Sequence, residues 1–233
     1  MKINATLLTH LLELLFPRRC LGCGTFDEHI CASCAAKLER SSYSCIFCGQ
    51  ENNDGRTCPR CANKKDFFLD GFLSHVSYHD ARAQTIIAAF KYGNHRGLAA
   101  PIASLMTHGG SLTGDILLAL PLARARLNQR GYNQAELLAQ ALAKMSSIPL
   151  LNPSPLIKIR ATPQQAKAKS REERFLQIKD AFALRKEAPA VIAGKRILLI
   201  DDVATSGATL NEAARVLKEG GATSVWGWVF AHG

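Results

Sequence analysis

The stretch "RILLIDDVATSGATL", residues 196–210, sets two adjacent aspartates, Asp201 and Asp202, directly after an apolar run and follows them with small hydroxyl residues around Gly207. A short apolar run bounded by turn residues reads as a strand buried on both faces, the habit of parallel sheets. "RILLI" is therefore expected to be a central strand, with Asp201 and Asp202 emerging at its tip. "VATSGAT" is expected as the turn into a helix, "NEAARVLKEGG", that Gly220 closes.

Other segments alternate in the same way. "GFLSHVSYH", "DILLALP" and "SVWGWVFA" read as strands. "ARAQTIIAAFKYGN", a segment near 96–107, "NQAELLAQALAKM" and a segment starting at Ser170 read as amphipathic helices. Apolar runs alternating with helices predict an α/β fold, a parallel sheet flanked by helices on both faces. No repeat or low-complexity segment interrupts it. Residues 66–233 form this unit, and the polar "ANKKD" after Cys61 reads as the linker from a smaller unit at 1–65.

Composition narrows the partners. The chain has 233 residues, 47% hydrophobic, and a formal net charge of +10. Residues 144–196 alone carry a net +8, whereas 197–233 carry a net −2. A basic stretch, "KIRATPQQAKAKSREERF", thus precedes an acidic motif. It suits either a solvated face or an anionic partner. The N-terminal "INATLLTHLLELLF" fits an amphipathic helix that is too short to span a bilayer and has no small-residue cleavage site. The expectation is a cytoplasmic protein without membrane insertion.

All eight cysteines lie between residues 20 and 61 as four Cys-x-x-Cys pairs: Cys20 and Cys23, Cys31 and Cys34, Cys45 and Cys48, Cys58 and Cys61. Two thiols three positions apart on a tight turn reach one tetrahedral Zn²⁺, and two such turns complete a four-sulfur site. Eight ligands imply two structural zincs. Sequential pairing makes two ribbons in tandem; interleaved pairing makes a cross-braced module. A disulfide framework would require an oxidising compartment.

At a strand tip in a parallel sheet, Asp201 and Asp202 stand where ligands bind. Backbone amides of the turn, the hydroxyls of Thr205, Ser206 and Thr209, and the positive end of the helix dipole suit a phosphate. Carboxylates repel phosphate and so must face another part of the ligand, and a ribose diol suits them. The competing reading is a lone helix cap. Elsewhere, Lys91 and Tyr92 of "FKYGN" fit either ligand contact or, with Phe90, core. Asn133 reads as a helix N-cap. Arg171 and Arg174 lie one helical turn apart, and Trp226 and Trp228 pack on one face of the last strand.

These residues carry a resemblance. "LLIDDVATSGATL" resembles the phosphoribosyl-pyrophosphate signature of type I phosphoribosyltransferases. The order of paired-cysteine head, "FKYGN", "PLARARLNQRGYNQAELLAQALA", "TPQQAKAKSREERFLQIKDAF" and the acidic motif is similar to the ComF (ComFC, or GntX-like) competence-protein family, from about Cys20 to the C-terminus. The chain departs from the family pattern at Ser206, where a second Thr is usual, at Leu118–Ala123, which lacks a Pro and a His, and at Gln177 in place of Asn.

The resemblance implies a type I phosphoribosyltransferase-like domain behind a small double zinc ribbon. It implies Asp201 and Asp202 on the ribose hydroxyls and Val203, Ala204, Thr205, Ser206, Gly207, Ala208 and Thr209 around the 5-phosphate. Arg124, Arg126 and Arg130 would lie near the pyrophosphate, and Mg²⁺ would bridge pyrophosphate and ribose. Apart from the resemblance, Lys91 is a candidate ligand contact and Arg171 either a phosphate contact or a solvated ion pair. The resemblance further implies single-stranded DNA and DNA-uptake proteins as partners in natural transformation. Two function classes remain open: a phosphoribosyltransferase with an unspecified acceptor, and a non-enzymatic single-strand-binding protein with stacking aromatics such as Tyr43, Phe47 or Phe67.

Overall fold

The structure, a computed structural model, describes residues 18–108, 113–161 and 170–233. The N-terminal amphipathic segment and residues 162–169 of the basic stretch lie outside the described residues.

Nine α-helices and six strands follow one another in the described residues, with a short 3₁₀ helix at Arg96–Leu98. They are α1 (Ala32–Ala36), α2 (Pro59–Ala62), β1 (Gly71–Ser77), α3 (Ala81–Tyr92), α4 (Ala99–Thr107), β2 (Ile116–Ala119), α5 (Arg124–Arg130), α6 (Gln134–Met145), β3 (Leu156–Lys158), α7 (Arg171–Ile178), β4 (Phe182–Leu184), α8 (Ala188–Ile192), β5 (Arg196–Ala204), α9 (Ala208–Glu219) and β6 (Ser224–His232). The main sheet has the order β1-β6-β5-β2, with every pairing parallel. A separate antiparallel pair joins β3 to β4.

The apolar runs behave as a parallel sheet requires. Ile197, Leu198, Leu199 and Ile200 are all buried, as are all four residues of β2, because helices cover both faces. Helices α4 and α6 pack together and α6 lies against β2 and β5, while α9 packs on β5, β6 and α7. Asn133 caps α6 as its sequence suggests, its side chain accepting from the Ala135 amide at 3.1 Å. Phe90 is fully buried, whereas Tyr92, equally apolar in pattern, is the last residue of α3 and 73% exposed.

The free edge of β1 is covered by the cysteine-rich segment, which blunts an otherwise open pairing edge. Antiparallel bridges join Arg40 to Val76 and Arg56 to Gly71. The Phe72 amide donates to Gly55 O at 2.8 Å and the Ser77 amide to Glu39 O at 2.9 Å. Cys45, Ile46, Phe47, Cys58 and Cys61 belong to the same buried cluster as the sheet, whereas Cys20, Cys31 and Cys34 form a cluster of their own. The segment after Cys61 is fastened as well: Asn211 Oδ1 accepts the Phe68 amide at 2.7 Å, and Asn211 Nδ2 donates to Asp66 O at 2.8 Å.

Candidate active site and metal centres

Strand β5 runs four residues further than "RILLI". The long β6 holds it in register through Ala204↔His232, so Asp201 and Asp202 lie inside the strand and the turn shrinks to Thr205–Gly207. Strand β2, by contrast, stops at Ala119, opposite Ile200. Asp201 therefore reaches the crevice beyond the end of β2 not by leaving its strand but because that neighbour ends first, while Asp202 stays buried.

Successive strand residues point to opposite faces, so the two carboxylates do not sit side by side. Asp202 is only 5% exposed. Its Oδ1 meets Lys91 Nζ from the end of α3 at 3.1 Å, and its Oδ2 is buried without a hydrogen-bond partner. Asp201 is half-buried, and its Oδ1 accepts the Asp202 amide at 2.8 Å. Burial, reinforced by the charge of Asp202, pushes the Asp201 carboxyl up to about 7. Burial opposes the charge on Lys91, but Asp202 and then Asp201 outweigh it and raise its pKa.

The turn after β5 has the backbone that anion binding asks of it. Gly207 sits at the N-cap of the twelve-residue α9 with φ +76°, a left-handed conformation that costs a residue with a Cβ. The first turn of α9 carries no acid, leaving the positive end of its dipole uncompensated. Ser206 and Ala208 are buried and Thr205 and Thr209 half-buried, as is Val203, while Ala204 is buried in the strand. A cavity of about 430 Å³ opens beside the turn, lined by Thr205, Ser206, Arg171, Arg174 and His232 and by the Cys45–Gly49 knuckle. Arg171 ties these parts together, its Nη2 donating to Ser206 O at 3.0 Å and to Ile46 O in the knuckle.

The arginines after β2 separate. Arg130 donates to Gln134 Oε1 at 3.0 Å and lies over the Tyr92 ring at 5.3 Å, which places Tyr92 on the surface near Lys91. Arg126 is half-buried and close enough to Lys158 to act on its charge, whereas Arg124 is exposed on the outer side of α5. Lys158, at the end of β3, is drawn down to about 8 by burial and then by Arg126, with Asp201 pulling the other way. Asp201, Asp202, Lys91, Lys158, Arg126 and Arg130 thus form one charged cluster, and Arg171 belongs to the turn instead.

Lys158 and His232 are two site residues that pattern reading passes over. His232 Nε2–H donates to Thr205 O at 3.1 Å. Its signal in the sequence is its place at the carboxyl end of the last strand, which in a parallel sheet must lie beside the end of β5. Lys158 has no comparable signal, because only the β3–β4 pairing brings it to the acids.

The cysteines form two sets, Cys20, Cys23, Cys31 and Cys34, and Cys45, Cys48, Cys58 and Cys61, in which all sulfurs lie within 4.8 Å of one another. Sequential pairing is therefore the arrangement adopted. Tetrahedral zinc with Zn–S of about 2.3 Å sets sulfurs about 3.8 Å apart, and Cys23–Cys31 and Cys48–Cys58 are each 3.6 Å apart. The Cys31 amide donates to Cys20 Sγ at 3.3 Å, as a thiolate ligand needs. Without metal the crowded thiols split: burial opposes Cys20, yet amide hydrogen bonds bring it to about 6, while hydrogen bonds with Cys23 and Cys31 push Cys34 up to about 12. Four-sulfur sites of this kind are closed and structural.

The double zinc ribbon domain family matches residues 11–66, and the phosphoribosyl transferase domain family matches residues 129–231. Competence protein ComFC of Bacillus subtilis is 32% identical over 208 residues, covering 84% of this chain and 80% of its own length. The chain belongs to the ComF family of competence proteins. Another ComF relative, Competence protein F of Haemophilus influenzae, is 28% identical over 234 residues, 93% of this chain and 98% of that one. DNA utilization protein YhgH of Escherichia coli K12 is 27% identical over 208 residues, 85% of this chain and 88% of its own. Among solved structures, the glutamine phosphoribosylpyrophosphate amidotransferase of B. subtilis overlaps 60% of this ComF chain at a TM-score of 0.41 and 17% identity. The chain spans 30% of that enzyme, a likeness too slight to argue from.

Family membership accords with the two halves of the ComF chain: a cysteine-rich head with two structural zinc sites, and a phosphoribosyltransferase-type parallel sheet flanked by helices. Among the described residues no helix is long and apolar enough to cross a membrane.

Proposed function

We propose that this chain binds phosphoribosyl pyrophosphate at the carboxyl end of β5 and transfers its ribose 5-phosphate to an acceptor, as a cytoplasmic participant in the handling of incoming single-stranded DNA. The observation that carries the reading is the meeting, within one strand-turn-helix unit, of Asp201 and Asp202 with the left-handed Gly207 turn at the start of α9. The 5-phosphate takes the amides of Thr205 to Thr209. Asp201, the more open acid, faces the ribose hydroxyls, and Asp202 with Lys91 holds it in place.

The pyrophosphate lies toward Lys91, Lys158, Arg126 and Arg130, whose charges offset the departing anion. The C1–oxygen bond breaks with its electron pair leaving on pyrophosphate, and positive charge grows on the ribose ring beside the two carboxylates. The acceptor forms the new bond at C1 and gives up its proton to the departing pyrophosphate or to solvent. The unpartnered Asp202 Oδ2 is a hard oxygen donor that fits Mg²⁺. When bound, that ion would supply charge neutralisation at the pyrophosphate.

Thermal unfolding with magnesium phosphoribosyl pyrophosphate tests the site. A rise in midpoint that Asp201→Asn abolishes is the expected result. No rise in the parent protein overturns the reading.

A second function, single-strand binding with or without transfer, draws on the net +8 of residues 144–196 and on relatives named for competence and DNA utilization. DNA-uptake proteins are its proposed partners. Affinity should fall with salt and weaken when the Lys and Arg of 158–174 are neutralised. Unchanged affinity after neutralisation removes that stretch from the interface.

A further inference from the structure

A second cavity, of about 360 Å³, lies at the amino end of the sheet, opposite the aspartates. Its floor is set by register. Leu198, Trp226 and Gly71 are partners across β5, β6 and β1, so they share one face. Gly71 has no Cβ, and one placed there would lie 2.4 Å from the Trp226 ring. The indole therefore spreads over the backbone of β1 instead of standing among side chains. Trp228, two residues on along the same face, is buried at 4% exposure; Trp226 is only half-buried. Its Nε1–H has no acceptor among the described residues, although a tryptophan packed into a fold usually finds one.

The rim comes from the zinc-bearing segment. Arg56 stands 5.6 Å from the Trp226 ring centroid and is steered by Asp54, whose Oδ2 accepts from Arg56 Nε at 2.9 Å. Tyr43, 36% exposed, and Asn53 complete that side, and Arg196 at the start of β5 faces them. Of the three aromatics suited by sequence to stacking, Phe47 and Phe67 stack on each other at 3.9 Å, and Tyr43 lines this cavity.

We propose that this cavity binds a nucleobase. An indole face, a phenol and a planar guanidinium around one space fit a flat heteroaromatic ring. The unpaired indole N–H, Asn53 and Ser224 offer edge hydrogen bonds that an alkyl chain would leave unmet. Arg56 is paired with Asp54 and Arg196 with Asp115, so the lining is close to neutral and selects a flat ring more than a charge, while a chain of net charge +10 attracts the anions that carry bases. The base comes from a nucleic-acid strand or a free nucleotide. This cavity shares no lining residue with the turn after β5 and does not include Asp201.

The protein has two tryptophans, so Trp228→Phe leaves Trp226 as its sole indole. The zinc-loaded full chain would be titrated with single-stranded oligothymidylate, an abasic oligomer of equal length, and adenosine monophosphate, reading both Trp226 emission and oligomer anisotropy. Saturable quenching by a base-bearing ligand, weakened about fivefold or more by Arg56→Ala or Tyr43→Ala, is the expected result. Quenching by the mononucleotide marks a nucleotide site, and quenching by oligothymidylate alone marks a strand site; either supports the proposal. Equal quenching by the abasic strand overturns it. So does unmoved Trp226 emission, and oligomer anisotropy that still rises then leaves single-strand binding standing elsewhere. Should Trp228→Phe not fold, fluorine resonances of the 5-fluorotryptophan-labelled parent protein report on the exposed indole in its place, with the same outcomes deciding.

Discussion

Ile46, between the two cysteines of the third Cys-x-x-Cys pair, lies directly against Gly207: a Cβ on that glycine would come within 2.7 Å of Ile46 Cδ1. A zinc-knuckle side chain thus rests on the turn between β5 and α9, and Arg171 donates to main-chain oxygens on both sides of the contact. The metal-bearing head and the strand-turn-helix site share one packed junction.

Gly207→Ala meets two obstacles, its φ of +76° and the Ile46 methyl. The left-handed backbone alone costs about 1–2 kcal/mol. Adding Ile46→Ala should return the steric part and not the backbone part. Urea unfolding of both single variants and the double variant checks this, and strictly additive losses would refute the contact.

The two zinc sites should differ in their hold on the fold. Cys45 is buried in the cluster that includes the sheet, whereas Cys20 lies in a separate cluster. Cys45→Ser should lower the main melting midpoint by roughly 10 °C, and Cys20→Ser by much less. Metal analysis should find two zincs in the parent protein and one in each variant.

The Lys91–Asp202 pair at 3.1 Å is largely withdrawn from water. Lys91→Met leaves a buried carboxylate without its cation and should cost about 2–4 kcal/mol. Lys91→Met with Asp202→Leu should recover part of that loss in denaturant unfolding.

His75 is buried, and burial followed by Arg40 holds its pKa down at about 4, below the ordinary 6.5. The unfolded chain therefore binds the extra proton first. The contribution of neutral His75 is complete above pH 6.5 and is lost as pH falls toward 4, on the order of 3 kcal/mol at full extent. His75→Phe should flatten the stability profile over that window.

The alternation of apolar runs with amphipathic helices was legible because a strand covered on both faces must be continuously apolar, as β2 and β5 are. The cysteine spacing announced two four-sulfur sites, and Asn133 announced a helix start, because both are local geometry. The extent of β5 was not local. Its last four residues look like a turn and are strand because β6 is long enough to pair with them.

The amino-acid sequence by itself determined the α/β alternation, the presence of two four-sulfur sites and the unit of acids, turn and helix, since each is written in the local pattern of neighbouring residues. Tertiary structure alone decided which cysteine pairs share a site, that Asp202 turns to Lys91 while Asp201 stays open, that Lys158 and His232 join the crevice, and that the second ribbon seals β1 and touches Gly207. Those outcomes follow from pairing register and from competition for buried volume. Both are set between segments far apart in the chain, where periodicity carries no information.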